Sequence, residues 1–345
     1  MGRLVELPFG LATSVGDLPF TSPDAAVELA LSTQPTFPTV PSSATSRHSL
    51  LAQACSAVVG LRVISHGAVE LPAEFDFRSV PINVNLAAEA YEPFEIFLRR
   101  ITGHKADTAE EFVGTRIGVL GPISFALALR AAGMPTSDAL SLSQRVIPEL
   151  ATKMLARYRS VIGSESVVVV MAEPGLVGAM HPTFPLSPSE ITDALIPTVD
   201  ALDSCAHHGD LLIGIHVAGR TDWPSIIRSG VSLISAPADD SMLSAAPVLN
   251  AFLDAGGSIV WGAVPVDQPL GDGEELFWRR LGGIWCSLVG EGMDPFQLRA
   301  SSLVGPSDGL GNFGDTQVVR ALGLVDSLSV RVRRQAIGAR LSLGA

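Results

Sequence analysis

The chain of 345 residues is poor in the groups that usually announce a function. Only 17% of its residues are charged, 6% are aromatic, and three are cysteine. Lysine occurs twice, as Lys105 and Lys153, so the basic charge is almost all arginine. A Schiff-base mechanism needs a desolvated lysine at a strand end. Lys153 falls in a helical pattern and Lys105 in a polar stretch, which excludes that chemistry. The formal net charge is −12, and the arginines form pairs such as Arg99-Arg100, Arg279-Arg280 and Arg333-Arg334 rather than patches. An acidic chain without a basic cluster repels phosphate, which argues against nucleic-acid and anionic-membrane partners. The cysteines, Cys55, Cys205 and Cys286, are far apart and odd in number, and read as reduced thiols rather than a disulfide framework. No Cys-x-x-Cys and no His-Glu-x-x-His is present. Apolar runs long enough to span a bilayer, about 18 residues, are also missing, and the first residues lack the basic-then-apolar pattern of a secretion signal. The expectation is a cytoplasmic protein.

What is abundant is aliphatic residue, glycine and proline. Mean hydropathy is +0.36, 47% of residues are hydrophobic, and there are 33 Gly and 24 Pro. Such a chain buries a large core and is not disordered. Short β-branched runs alternate with longer helical patterns. Strands are expected at 11–15, 39–41, 82–84, 116–120, 166–171, 211–216, 231–235, 258–262 and 300–304. Helices are expected at 25–32, 137–162, 187–208, 223–229, 247–255, 274–290 and 316–343. Consecutive strand–helix units point to a parallel sheet. About eight such units in a chain of this length predict a single (β/α)8 TIM barrel spanning residues 1–345. Residues 66–110 fit the repeat poorly and read as an insertion, a hairpin plus a helix at 88–101, over the barrel mouth.

In a barrel, chemistry lies at the C-terminal strand ends. Nearly every expected end carries Gly or Pro, and titratable groups stand at four of them: Asp17, Glu173, His216 and Asp308. Glu173, His216 and Asp308 are the catalytic candidates; Gly16, Asp17, His181, Asp222 and Trp261 are the substrate-binding candidates. Each has an ordinary structural alternative. Glu173 can cap a helix, His216 can be a satisfied core histidine, Asp308 can close an Asx turn, and Asp222 can cap the helix that follows it. His207-His208 suits the negative end of a helix. Gly309-Leu-Gly-Asn-Phe-Gly314 matches a dinucleotide-binding string, but too little chain follows it for the required βαβ unit.

Thr13-Ser-Val-Gly-Asp-Leu-Pro-Phe-Thr21 resembles the opening strand of the cobalamin-independent methionine synthase catalytic barrel. It is more similar still to barrel-only bacterial relatives grouped with uroporphyrinogen decarboxylase-like proteins. The likeness runs on in order through Gly121-Pro-Ile-Ser124, Ala172-Glu-Pro-Gly-Leu176, Gly214-Ile-His-Val-Ala-Gly-Arg-Thr-Asp-Trp223, Gly256-Gly-Ser-Ile-Val-Trp-Gly-Ala-Val-Pro265 and Pro306-Ser-Asp-Gly-Leu-Gly311. It implies a methyltransferase acting on a small thiol such as homocysteine, of the 5-methyltetrahydropteroyltriglutamate–homocysteine type, with zinc as cofactor. His216 stands at the first zinc-ligand position of the pattern. Ala218 and Asp308 stand where the pattern has cysteines, Pro237 where it has an acid, Ala172 where it has Asp, and Asp17 where it has Ser. With both cysteines replaced, two other functions stay open. One is a metal-free acid–base enzyme like uroporphyrinogen decarboxylase, and the other a non-catalytic small-molecule-binding barrel. The sequence does not decide between monomer and homodimer.

Overall fold

The computed structural model describes residues 7–43, 47–64, 67–107, 112–163, 165–206, 210–271 and 273–342. His207 and His208 lie outside them. The strands in chain order are β1 (Asp17–Leu18), β2 (Ser42–Ser43), β3 (Arg62–Val63), β4 (Val69–Glu70), β5 (Gly114–Leu120), β6 (Ser166–Ala172), β7 (Leu211–His216), β8 (Leu233–Pro237), β9 (Ser258–Val264) and β10 (Ser302–Pro306). The helices are α1 (Pro23–Thr33), α2 (Leu50–Ser56), α3 (Glu92–Asp107), α4 (Pro122–Ala131), α5 (Thr136–Ile162), α6 (Pro188–Asp203), α7 (Trp223–Ile227), α8 (Ala246–Asp254), α9 (Glu275–Gly290), α10 (Pro295–Ala300) and α11 (Asp315–Ser342).

Strands β5 to β10 form one six-stranded, all-parallel sheet in sequence order, curled into a half-barrel. Helical crossovers cover its outer face. Both faces of the strands are buried, which is why Val167-Val-Val-Val170 is apolar without alternation. Ile117, Val119, Val167, Val169, Met171, Ile213, Ile215, Ile234, Ile259 and Trp261 face the helices in the large core. Val168, Val170, Leu212, Leu233, Val260 and Leu303 face inward and form a second core with Leu11 and Phe37.

The first two expected strands are mostly irregular. Ala12 makes a single parallel bridge to Val304, with Thr13 N–H donating to Val304 O and Val304 N–H to Leu11 O. Thr39 bridges Arg116 in parallel, and β1 pairs β2 in parallel through Asp17–Ser42 and Leu18–Ser43. The ladder is interrupted because the N–H of Ser14 donates to the Thr39 side chain instead of to backbone. The segment 82–84 is not a sheet strand. Ile82 makes one antiparallel bridge, to Val58, and Pro81 before it has no N–H to extend the ladder.

The expected insertion begins earlier than residue 66, since the β3–β4 hairpin opens at Arg62. Its helix, α3, packs against α1 and α5 in the outer layer, burying Phe94, Phe97, Leu98 and Ile101. It is therefore the crossover between β2 and β5 rather than a cover for the strand ends. The last strand begins two residues later than expected because Asp294 caps a short α10 ahead of it.

The α5 pattern holds: Leu142, Val146, Ile147, Leu150 and Met154 recur at helical spacing on its buried face. Near its C-terminus Arg159 grips both carboxylate oxygens of Asp210 at 2.8 and 2.7 Å and donates to Cys205 O, locking α5 to the entry of β7. Both side chains are largely buried, so loss of one partner strands the other. Arg159→Met is expected to lower stability by about 2–3 kcal/mol, read as a reduced denaturation midpoint in urea. Among the described residues no helix is long and apolar enough to cross a membrane.

Candidate functional site

The C-terminal end of the parallel sheet carries the polar groups. His216 closes β7 and, like Leu212 two inward positions below, points to the inside of the curl, where it is only 3% exposed. Its Nδ1 lies 2.9 Å from Ser235 Oγ on β8, and its Nε2 lies 3.5 Å from Asp308 Oδ1 just beyond β10. Burial, and then the positive charge of Arg116, hold the imidazole below its ordinary pKa against the raising pull of Asp308. The ring is neutral at pH 7. An ionised Asp308 only accepts, so Nε2 carries the proton and Nδ1 accepts from the Ser235 hydroxyl.

Asp308 is half exposed, its side chain at 53%. Partial burial pushes its carboxyl upward, but His216 and the Gly309 N–H, which donates at 2.7 Å, outweigh this and hold it below the usual range. Asp17 arrives from the other edge. Its backbone carbonyl accepts from Leu310 N–H, and its carboxylate packs so closely on Gly309 that a Cβ there would lie 3.0 Å from Oδ2. Burial first, and the charge of Asp308 second, push the Asp17 carboxyl up to about 6. Gly16 makes this approach possible. Its φ of +97° and the Val40 carbonyl 2.9 Å from where a Cβ would stand both require glycine. Beside Asp308, a cavity of about 260 Å³ is lined by Ala218, Pro237, Gly262, Gln268, Arg280 and Ser307 among others.

The remaining candidates lie elsewhere. Glu173 is fully buried after β6, and its oxygens accept from Ile123 N–H (2.9 Å), Ser124 N–H (2.7 Å) and Ser124 Oγ (2.6 Å). These are the first donors of α4, whose own N-cap, Gly121, has no side chain to offer. Burial lifts the Glu173 carboxyl to about 7, with the three donors pulling the other way. Asp222 caps α7 through Ser225 N–H and Oγ. His181 accepts from Thr183 N–H at Nδ1 and shares a separate groove with Asp222. Trp261 points outward into the helical layer, donating to Ser302 Oγ and meeting Trp285 edge-on at 6.3 Å.

Three contributors were not singled out from the sequence. Ser235 is an uncharged residue in an apolar strand and gives no signal. Arg280 sits on the helical surface pattern of α9. Arg116 did carry a signal, as a charge in the middle of an otherwise apolar strand; its guanidinium is buried and pushed down to about 9 by desolvation.

The donor set does not fit a thiol-activating zinc. Soft thiolates are absent from the strand ends: Cys55 is buried on α2 with its thiol pushed up to about 12, Cys205 follows α6, and Cys286 is exposed on α9. Among the described residues no three His, Cys, Asp or Glu side chains gather as a metal-holding group.

Comparison with solved structures places the fold. It is the fold of B12-independent methionine synthase structures. The structure from Shewanella sp. W3-18-1, solved in complex with selenomethionine, matches 96% of this chain and 99% of its own, at 11% identity and a TM-score of 0.63. A putative vitamin-B12-independent methionine synthase from Listeria monocytogenes matches 91% of this chain and 86% of its own, at 11% identity and a TM-score of 0.51. No family model and no curated protein matches the sequence.

Proposed function

We propose that the chain is an eight-stranded barrel of the methionine synthase fold that performs metal-free acid–base chemistry on a small molecule. The two bridged N-terminal segments supply the first two strands and link β10 to β5. The observation that carries the functional reading is the succession Asp17, Asp308, His216 at one end of the sheet, with no thiolate near it. Two carboxyls pushed in opposite directions suit opposite roles. Asp17, titrating near 6, can take up a proton as the pH falls toward that value and give it to a substrate atom. Asp308 is the acceptor, and His216 fixes its orientation from below. Zinc-dependent thiol methylation, which the fold resemblance suggests, would need donors that this end of the sheet does not offer.

Selenomethionine and homocysteine are the first probes, because a neighbour in fold was solved with the former. Calorimetric titration in the presence of a chelator is expected to show binding that His216→Asn weakens by about tenfold or more, the loss of one charge-assisted contact. Exchange of ligand C–H for deuterium in D2O, followed by NMR, reads the acid–base step. Stoichiometric zinc binding together with zinc-dependent methylation of homocysteine would overturn the reading.

A further inference from the structure

Arg116 is the one charged side chain in the middle of the parallel sheet. It lies in register with Val168 on β6, and Val168 with Leu212 on β7, both members of the inward-facing core. The residue is 2% exposed, and its Nε and Nη1 are buried with no hydrogen-bond partner among the described residues. Among the described residues no carboxylate pairs with it, and its positive charge acts on His216, which stands two inward positions farther along the curl. Gly118, the next inward position on the same strand, has no side chain and is partly exposed, with Leu50 Cδ1 and the Val15 carbonyl each 3.9 Å from where a Cβ would be. A guanidinium left unpaired in such a place is strongly disfavoured unless an anion meets it. Its planar fork matches two oxygens held in one plane.

We propose that Arg116 is an anion-binding group at the floor of the strand-end site, and that it holds the carboxylate of a small organic acid beneath His216. The proposal rests on the placement of the site at this end of the sheet, and it names the substrate class. A carboxylate gripped from below would leave the rest of the ligand beside Asp17 and Asp308.

The test uses the full chain at pH 7.5, with thermal unfolding followed during titration with propionate. Sodium chloride at equal ionic strength is the second arm. Propionate is expected to raise the wild-type Tm by several degrees at saturation, as about a hundredfold excess over Kd would. Chloride should not do so. Arg116→Met is expected to give no response to propionate, and to be no less stable than the free wild type, because an unpaired buried charge has been removed. Arg116→Lys, which keeps charge but loses the fork, should respond with an affinity about tenfold weaker. A silent wild type, an equal response in Arg116→Met, or chloride matching propionate (an inorganic counter-ion only) would each overturn the proposal. None of these readouts depends on proton transfer by Asp17, so failure here is distinct from failure of the deuterium-exchange assay.

Discussion

Replacing Glu173 with alanine is expected to destabilise the protein by about 3–5 kcal/mol, the range for stranding buried donors together with a lost charged partner. Three donors of the first turn of α4 would lose their acceptor, and none can reach water because the carboxylate occupies a fully buried position. The helix cannot recruit another cap, since Gly121 has none and no larger residue fits there. A Cβ on Gly121 would lie 2.2 Å from the Glu173 carboxyl. Glu173→Gln keeps one acceptor and turns an amide N–H₂ toward a donor, so about 2 kcal/mol is expected. Urea unfolding of both variants measures the effect. A catalytic Glu173 would give the reverse pattern, in which Gln leaves stability intact and abolishes turnover.

Asp17→Asn is expected to separate stability from function. The folded protein holds the Asp17 carboxyl at about 6, above its ordinary 3.8. The sign follows from where the proton is held more tightly. Below about pH 4 the group is protonated in both states and contributes no penalty. As pH rises from there to 6 the unfolded chain ionises first, so the folded state loses stability, and above 6 the loss is constant. Asn cannot ionise. Its stability advantage over wild type should be near zero at pH 4 and grow to about 2–3 kcal/mol by pH 7. Glu173 adds a loss of the same sign up to about pH 7, which both proteins share and which cancels in the difference. In the same variant, deuterium exchange into a bound ligand is expected to fall by about a hundredfold or more, the range for a general acid. A variant that is destabilised at pH 7, or that keeps full exchange, would remove Asp17 from the proposed role.

Much of the architecture is legible in residue order. Alternating Val-rich runs and amphipathic stretches identify the sheet from β5 onward, and the helices expected near 25 and 187 are capped in the structure by Ser22 and Ser187, each followed by proline. The first 110 residues are less legible. Their strand pairings are single bridges and two-residue ladders, too short to impose a hydrophobic period. The polar strand-end residues are visible as types. Yet Glu173 and His216, both expected to exchange protons, are neighbours in backbone pairing and differ in what their side chains meet: a helix N-terminus for one, Ser235 and Asp308 for the other.

The sequence by itself determines that this is an aliphatic, lysine-poor α/β chain with titratable groups at four of its expected strand ends, because periodicity and composition are local properties. Only the tertiary structure decides what those groups do. Asp17 and Asp308 are separated by most of the chain and meet because the segment before β1 lies beside β10, through the bridge of Ala12 to Val304. The unpaired state of Arg116 is likewise a property of the interior of the curled sheet. Burial and a second charge, not residue type, set the protonation of each group, and both depend on contacts made across the fold.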